Sequence, residues 1–275
     1  MGQLRQWMES PLAEPARRER SIVVLPKMRH DTEHRWEACA TTDIGLVRQG
    51  NEDSFDMRLE QGIFVICDGM GGAAAGEVAS KMAVESFLAE LDEALSVPPD
   101  DAAIRRAFHS AHDRVRQAAA KDPSLRGMGT TLVALLLDAE NNLGHLVHAG
   151  DSRCYRFRES HLEQMTHDHS FVEEQVRSGQ LTVAEARRSP LRNVITRAIG
   201  SAEPTEPEIA RVDISPGDIY LLCSDGLTRD VTDDTLREIL QEDGKNLSQA
   251  CTELVQKALA AGGHDNITCM LVRVL

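Results

Sequence analysis

Ile63-Phe64-Val65-Ile66-Cys67-Asp68-Gly69 is an apolar run that ends on a carboxylate and a glycine. Ile219-Tyr220-Leu221-Leu222-Cys223-Ser224-Asp225-Gly226 repeats the design far downstream. A continuous apolar run of this length, bounded by turn residues, is the pattern of a strand covered on both faces. A charged carboxylate at the end of such a strand is costly unless a cation compensates it. The two segments therefore predict two buried strands that share one design, each running into Asp-Gly.

Working outward, the remaining elements fall into blocks. Trp36–Thr42 reads as a strand and Asp43–Gly45 as a turn. Over Glu77–Leu95, residues Val78, Met82, Val84, Phe87, Leu88 and Leu91 recur on one helical face. Pro98-Pro99 separates this helix from a second at Asp101–Lys121. Strands then follow without intervening helices at Thr131–Asp138, Leu143–Ala149, Arg153–Arg158 and His161–Met165, with Asn141-Asn142 as a hairpin turn. Helices return at Phe171–Ser178 and Thr182–Arg188, the second opened by a Thr182/Glu185 capping box. Strands at Glu208–Ile214 and Asp218–Cys223, helices at Asp234–Leu240 and Leu247–Ala260, and a strand at Ile267–Leu275 close the chain. Hairpins with helix pairs between them predict an α+β fold, largely antiparallel sheets covered by helices.

The chain has 275 residues, 41% of them hydrophobic, enough for a sizeable core. No apolar run reaches the length of a membrane span. Residues 1–35 read as a flexible N-terminal extension, in which Ile22–Leu25 could add an edge strand. They lack the apolar segment of a signal peptide. The extension has a net charge of +2, leaving −16 on residues 36–275. So acidic a body argues against nucleic acid as a partner. The six cysteines are isolated, suiting small core residues in a reducing cytoplasm.

Acidic residues also stand at other strand ends and turns: Asp265 before the closing strand, Glu52 and Asp53 after the first turn, and Asp151 between two hairpin strands. Any one alone reads as a turn former. Together, with no basic residue near enough in sequence to pair with them, they read as a site for hard divalent cations, Mg²⁺ or Mn²⁺.

The motifs that carry these residues resemble the PPM family, the type 2C metal-dependent serine/threonine protein phosphatases, especially the bacterial members. In order they are Thr42-Asp43-Ile44-Gly45 with Arg48-Gln49-Gly50-Asn51-Glu52-Asp53, then Val65-Ile66-Cys67-Asp68-Gly69-Met70-Gly71-Gly72. Gly129-Thr130-Thr131, Gly150-Asp151-Ser152-Arg153, Ser224-Asp225-Gly226-Leu227 and Asp265-Asn266-Ile267-Thr268 follow. The resemblance covers residues 36–275. It implies an α-β-β-α sandwich of two mainly antiparallel sheets flanked by helix pairs, with a flap over about 167–200. It also implies a catalytic domain that hydrolyses phosphoserine and phosphothreonine by attack of a metal-bridging hydroxide, without a covalent intermediate. Two Mn²⁺ or Mg²⁺ ions are implied, and a third, weaker one. Asp68 would bridge the pair and the Gly69 carbonyl would ligate one ion. Asp225 and Asp265 would ligate the other, Glu52 or Asp53 would complete the shell, and Asp151 with Asp225 would hold the third. Arg48 would grip the substrate phosphate; Arg48, Asp68 and Asp225 form the implied catalytic set. Implied partners are phosphoserine and phosphothreonine proteins and a cognate serine/threonine kinase, met by a cytoplasmic monomer. Met70 departs from many eukaryotic relatives, which have His there, so no general acid is assigned. Ser189-Pro190 replaces the His-Pro of many relatives. The flap arginines Arg187, Arg188, Arg192 and Arg197 are candidates for meeting acidic phosphoprotein surfaces, or form a solvated helix face.

Other signals are weaker. Gly69-x-Gly71-x-x-Ala74 passes a loose dinucleotide fingerprint, but two helices follow where a second strand should come. His109 with His112, and His167 with His169, lack the further Cys or His of a tetrahedral set and read as surface or capping residues. Two rival functions are a phosphoprotein-binding module without turnover and a two-metal hydrolase of small phosphoesters. The scarcity of aromatics, 4%, disfavours a nucleotide-stacking site.

Overall fold

The computed structural model describes residues 20–24, 35–92, 99–138 and 140–275. The two quoted runs become β4 (Ile63–Met70) and β11 (Ile219–Cys223), each central in its own sheet. One sheet has the order β1-β2-β12-β11-β8-β9, adding β1 (Arg20–Val24), β2 (Trp36–Asp43), β12 (Ile267–Val274), β8 (Arg153–Arg158) and β9 (His161–Gln164). The other has the order β10-β7-β6-β4-β3, with β10 (Glu208–Asp213), β7 (Leu143–Ala149), β6 (Leu132–Asp138) and β3 (Asp53–Arg58). A short strand β5 (Gly129–Thr130) pairs with the end of β4. Every pairing among the described residues is antiparallel.

Alternation along the two central strands explains the layers. In β4, Ile63, Val65 and Cys67 face helices α1 (Ala73–Asp92) and α2 (Asp101–Lys121), while Phe64 and Ile66 face the opposite sheet. In β11, Ile219, Leu221 and Cys223 face α6 (Asp233–Asp243) and α7 (Leu247–Ala261), while Tyr220 and Leu222 turn inward to meet the first set. Both faces are covered, so both strands read as unbroken apolar runs although the sheets are antiparallel. The result is the four-layer α-β-β-α sandwich. A short helix α5 (Asp225–Thr228) follows β11, and α3 (Phe171–Arg177) with α4 (Val183–Arg188) forms the flap. The Thr182/Glu185 capping box is present.

The expected edge strand near Ile22–Leu25 is β1, paired with β2; residues 1–19 and 25–34 of the extension lie outside the described residues. So do residues 93–98, including the C-terminal end expected for the first helix. All six cysteines are buried, as expected of core residues. Strand β3 was not foreseen. Only Asp53 and Met57 of Asp-Ser-Phe-Asp-Met-Arg are buried, so the segment shows no apolar alternation, and one of its two inward residues is the carboxylate itself.

Candidate active site

The carboxylates converge at one end of the sandwich, where loops from both sheets meet. Asp53 and Asp68 are opposed in the β3–β4 ladder. Asp225 opens α5 directly beyond β11, Asp265 precedes β12, and Asp151 lies in the β7–β8 turn. Burial raises the Asp68 carboxyl well above the usual carboxylate range, and Asp53, Asp225, Asp151 and Asp265 all push it further up. For Asp53, burial with Asp225 and Asp265 lifts it to about 7. Burial, with Asp225 and Asp168 beside it, likewise brings Asp151 to about 7. Asp225 is raised mainly by burial. An isolated buried carboxylate costs several kcal/mol, and its neighbours' like charges add to that.

Hydroxyls and amides of the flanking motifs hold the acids in place. Asp53 Oδ2 accepts hydrogen bonds from Ser224 Oγ at 2.8 Å and Thr268 Oγ1 at 2.6 Å. Its Oδ1 is buried without a hydrogen-bond partner. The Asp68 N–H donates to Thr131 Oγ1 at 2.9 Å, and the Asp68 carbonyl accepts from the Thr131 N–H and from Thr130 Oγ1. Asn266 staples the Arg48 loop: its amide donates to the Ile44 and Gly50 carbonyls and its Oδ1 accepts from the Glu52 N–H. Gly69 donates to the Glu52 carbonyl at 3.1 Å, and its Cα lies so close to the Gly76 carbonyl that a Cβ has no room. A Cβ on Gly76 would run into Glu52 Oε2. Glu52 is buried, and its carboxyl is raised by burial and by Asp265 and Glu77.

This donor set fits hard divalent cations. It is an all-oxygen cluster of like charges, and Asp53 presents a buried oxygen with nothing to accept.

A family model described as "Protein phosphatase 2C" matches residues 29–267. The chain belongs to the protein phosphatase 2C family. It is 41% identical over 238 residues to the serine/threonine protein phosphatase PstP of Mycobacterium tuberculosis (strain ATCC 25618 / H37Rv). That match covers 86% of this chain and 44% of PstP, so the chain spans less than half of that relative's length. It is 35% identical to the serine/threonine phosphatase stp of Listeria monocytogenes (strain ATCC BAA-679 / EGD-e), covering 84% of this chain and 93% of stp. Among solved structures, a PstP catalytic domain in complex with two manganese ions superposes with a TM-score of 0.78 at 38% identity, covering 87% of this chain and 98% of that one. Staphylococcus aureus Stp1 superposes with a TM-score of 0.81 at 31% identity, covering 91% and 100%.

One expectation from sequence is overturned in this phosphatase 2C site: basic residues do lie close enough to pair with the acids. Arg229, four residues after Asp225, bonds Asp225 Oδ2 at 2.8 Å and Asp265 Oδ2 at 3.0 Å. Arg48 bonds both oxygens of Asp265, at 2.8 and 2.9 Å, and lies 3.8 Å from Glu52. The signal for Arg229 was the i, i+4 spacing of Asp225-Gly-Leu-Thr-Arg229, hidden because the helix that makes it is only four residues long. Ser224 and its bond to Asp53 were also missed.

Of the histidines read as surface or capping residues, His167 is exposed, whereas His112 and His169 are buried and each accepts a backbone N–H. His112 Nδ1 accepts from the Gly200 N–H. The His169 ring stacks on His148 at 4.6 Å, and its Nε2 lies 3.2 Å from Glu208. His148, His169 and Glu208 could converge on a metal. His148 Nε2 is already engaged with the His167 carbonyl at 2.9 Å, and the Arg197 guanidinium lies 3.3 Å from His169 Nε2. The cluster instead ties the flap base to the Asp151 turn, because the Gly150 N–H donates to His169 Nδ1 and the Gly150 carbonyl accepts from the His169 N–H. Arg153 strengthens the same junction with a two-pronged pair to Asp168.

A cleft of about 780 Å³ opens beside the carboxylates, between the flap and the α5–α6 segment. Asp151, Asp225 and Arg229 line it, with Arg187 and Arg192 from the flap. Arg188 and Arg197 are not among its lining residues.

Proposed function

We propose that residues 36–275 are a metal-dependent protein serine/threonine phosphatase, with residues 167–200 as its flap. The observation that carries this reading is the crowding of Asp53, Asp151, Asp225 and Asp265 about the buried Asp68, with one Asp53 oxygen buried and unpartnered. Asp68, the Gly69 carbonyl, Asp225 and Asp265 would hold two Mn²⁺ or Mg²⁺ ions, and Asp151 with Asp225 would hold a third, weaker one. Of the two candidates left open by sequence, Asp53 is the better ligand, since Ser224 and Thr268 orient its second oxygen and leave the first free. When bound, such ions activate water at neutral pH and offset charge on the phosphoryl oxygens.

The chain's own residues do the rest. Arg48 orients the phosphate with its planar fork once Asp265 is otherwise engaged. Water displaces the serine or threonine alkoxide in one in-line step, with no phospho-enzyme. Every cysteine is buried, and burial holds the Cys67 thiol beside Asp68 far above its ordinary pKa, so no thiolate nucleophile is at hand. Met70 cannot donate a proton, so the leaving group takes its proton from water. The cleft beside Asp225 suits a polypeptide substrate, a phosphoserine or phosphothreonine protein, with a cognate serine/threonine kinase as source. We place the protein in the cytoplasm as a monomer; no helix among the described residues is long and apolar enough to cross a membrane.

The test is phosphate release from a phosphothreonine peptide with Mn²⁺, Mg²⁺ or EDTA, beside Asp225→Asn. Release with either metal, lost with EDTA and in the variant, is the expected result. No release from folded protein with either metal would sink the reading in favour of a binding module without turnover. Turnover of nucleotides but not of the phosphopeptide would turn it toward small phosphoesters.

A further inference from the structure

The Arg229 side chain, only 26% exposed, reaches two of the proposed metal ligands at once. The backbone aims it there. The residue is in α-helical conformation immediately after α5, and its N–H donates to the Asp225 carbonyl at 2.8 Å, so its guanidinium lies over the Asp225 carboxylate. Asp265 is then held from two sides, by Arg229 on Oδ2 and by Arg48 on both oxygens.

A guanidinium and a divalent cation cannot share the same carboxylate oxygens without strong repulsion. Resting on the proposed metal-ligand reading, we infer that Arg229 is a resident cation of the centre, which divalent ions must displace from Asp225 and Asp265. It offsets the cluster's negative charge in the metal-free protein, and so it weakens metal binding while stabilising the metal-free fold. Arg229 thereby sets the metal concentration at which the centre fills. Arg48 also touches Asp265 but not Asp225, so of the two arginines it is Arg229 that spans both acids.

The test is Mn²⁺ titration by calorimetry, with thermal melts of the metal-free and Mn²⁺-saturated forms, on wild type, Arg229→Gln, Arg229→Lys and Arg192→Gln. Arg192 lines the same cleft and serves as a charge-matched control. Arg229→Gln should bind Mn²⁺ about tenfold more tightly, melt lower without metal and melt no lower with it. Arg229→Lys, which keeps the charge but loses the fork, should fall between. Wild-type affinity in Arg229→Gln would overturn the inference, as would an equal gain in Arg192→Gln, which would mark a long-range charge effect. Failure of the wild type to bind Mn²⁺ at all would instead overturn the metal-ligand reading on which the inference rests.

Discussion

Asp53 and Asp68 stand directly opposite one another across the β3–β4 ladder. Like charges at opposed positions destabilise a sheet, and here burial makes the charge costlier still. Asp53 has a folded-state pKa of about 7 against an ordinary value near 3.8. Its contribution to stability is therefore fully present below about pH 4 and is lost as pH rises through 7. Replacing it by Asn keeps an acceptor for Ser224 and Thr268 but removes the charge. Metal-free Asp53→Asn should melt with the wild type near pH 4 and progressively above it toward pH 7.5, by up to a few kcal/mol. Curves that stay parallel across that range would show that Asp53 is not held protonated. Saturating Mn²⁺ should close the gap for the wild type and not for the variant.

Thr268 makes the shorter of the two hydroxyl bonds to Asp53, at 2.6 Å. Thr268→Val keeps the shape of the side chain and deletes that bond, freeing Asp53 to turn. Mn²⁺ affinity should fall about 10- to 100-fold, as when a partner that orients a metal ligand is lost. An unchanged affinity by titration would assign Thr268 to sheet packing alone.

Much of this was legible because the two central strands announce themselves. Ile63–Cys67 and Ile219–Cys223 have no polar residue to blur the reading, and each ends on its carboxylate. The capping box at Thr182 and the turn at Asn141-Asn142 are local devices, and both are where the sequence put them. What escaped depends on contacts across the chain. β3 owes its place to pairing with β4 and shows no apolar alternation of its own. His148, His169 and Glu208 lie on separate elements, and nothing in their spacing brings them together.

Gly76 is a glycine inside α1, where alanine ordinarily favours a helix by about 1 kcal/mol. A Cβ there would run into the end of the Glu52 side chain and stand 3.0 Å from the Gly69 carbonyl carbon, so Glu52 must turn away and the Gly69 backbone must also give slightly. Gly76→Ala should therefore melt a few degrees below wild type and lose about 100-fold in kcat/KM, because the displaced Glu52 carboxylate flanks Arg48, the proposed phosphate grip. Full activity in the variant would show that Glu52 need not hold its present position.

His169 offers a pH signature opposite in sign to that of Asp53. Burial, with His148 beside it, lowers its pKa to about 4 from an ordinary value near 6.5. The Gly150 N–H fixes the tautomer by donating to Nδ1, which leaves Nε2–H for Glu208. In the unfolded chain His169 takes a proton as pH falls below 6.5, while in the fold it stays neutral until about 4. Its stabilising contribution is thus complete above 6.5 and declines as pH falls toward 4. His169→Phe retains the stack on His148 but removes both ring hydrogen bonds. At pH 7.5 it should destabilise the protein by about 1–3 kcal/mol, for a buried Gly150 N–H left without its acceptor. The deficit should shrink as pH drops from 6.5 to 5, because the wild type loses its advantage and the variant has no imidazole to protonate. Because Gly150 precedes Asp151, the variant should also loosen the flap base. Hydrogen exchange should accelerate at Gly150, whose N–H bonds the His169 ring, and with it at Thr196, whose N–H bonds the His169 carbonyl, whereas exchange in the β11 core should not. Exchange unchanged at both amides would show that the imidazole packs beside the Asp151 turn without holding it.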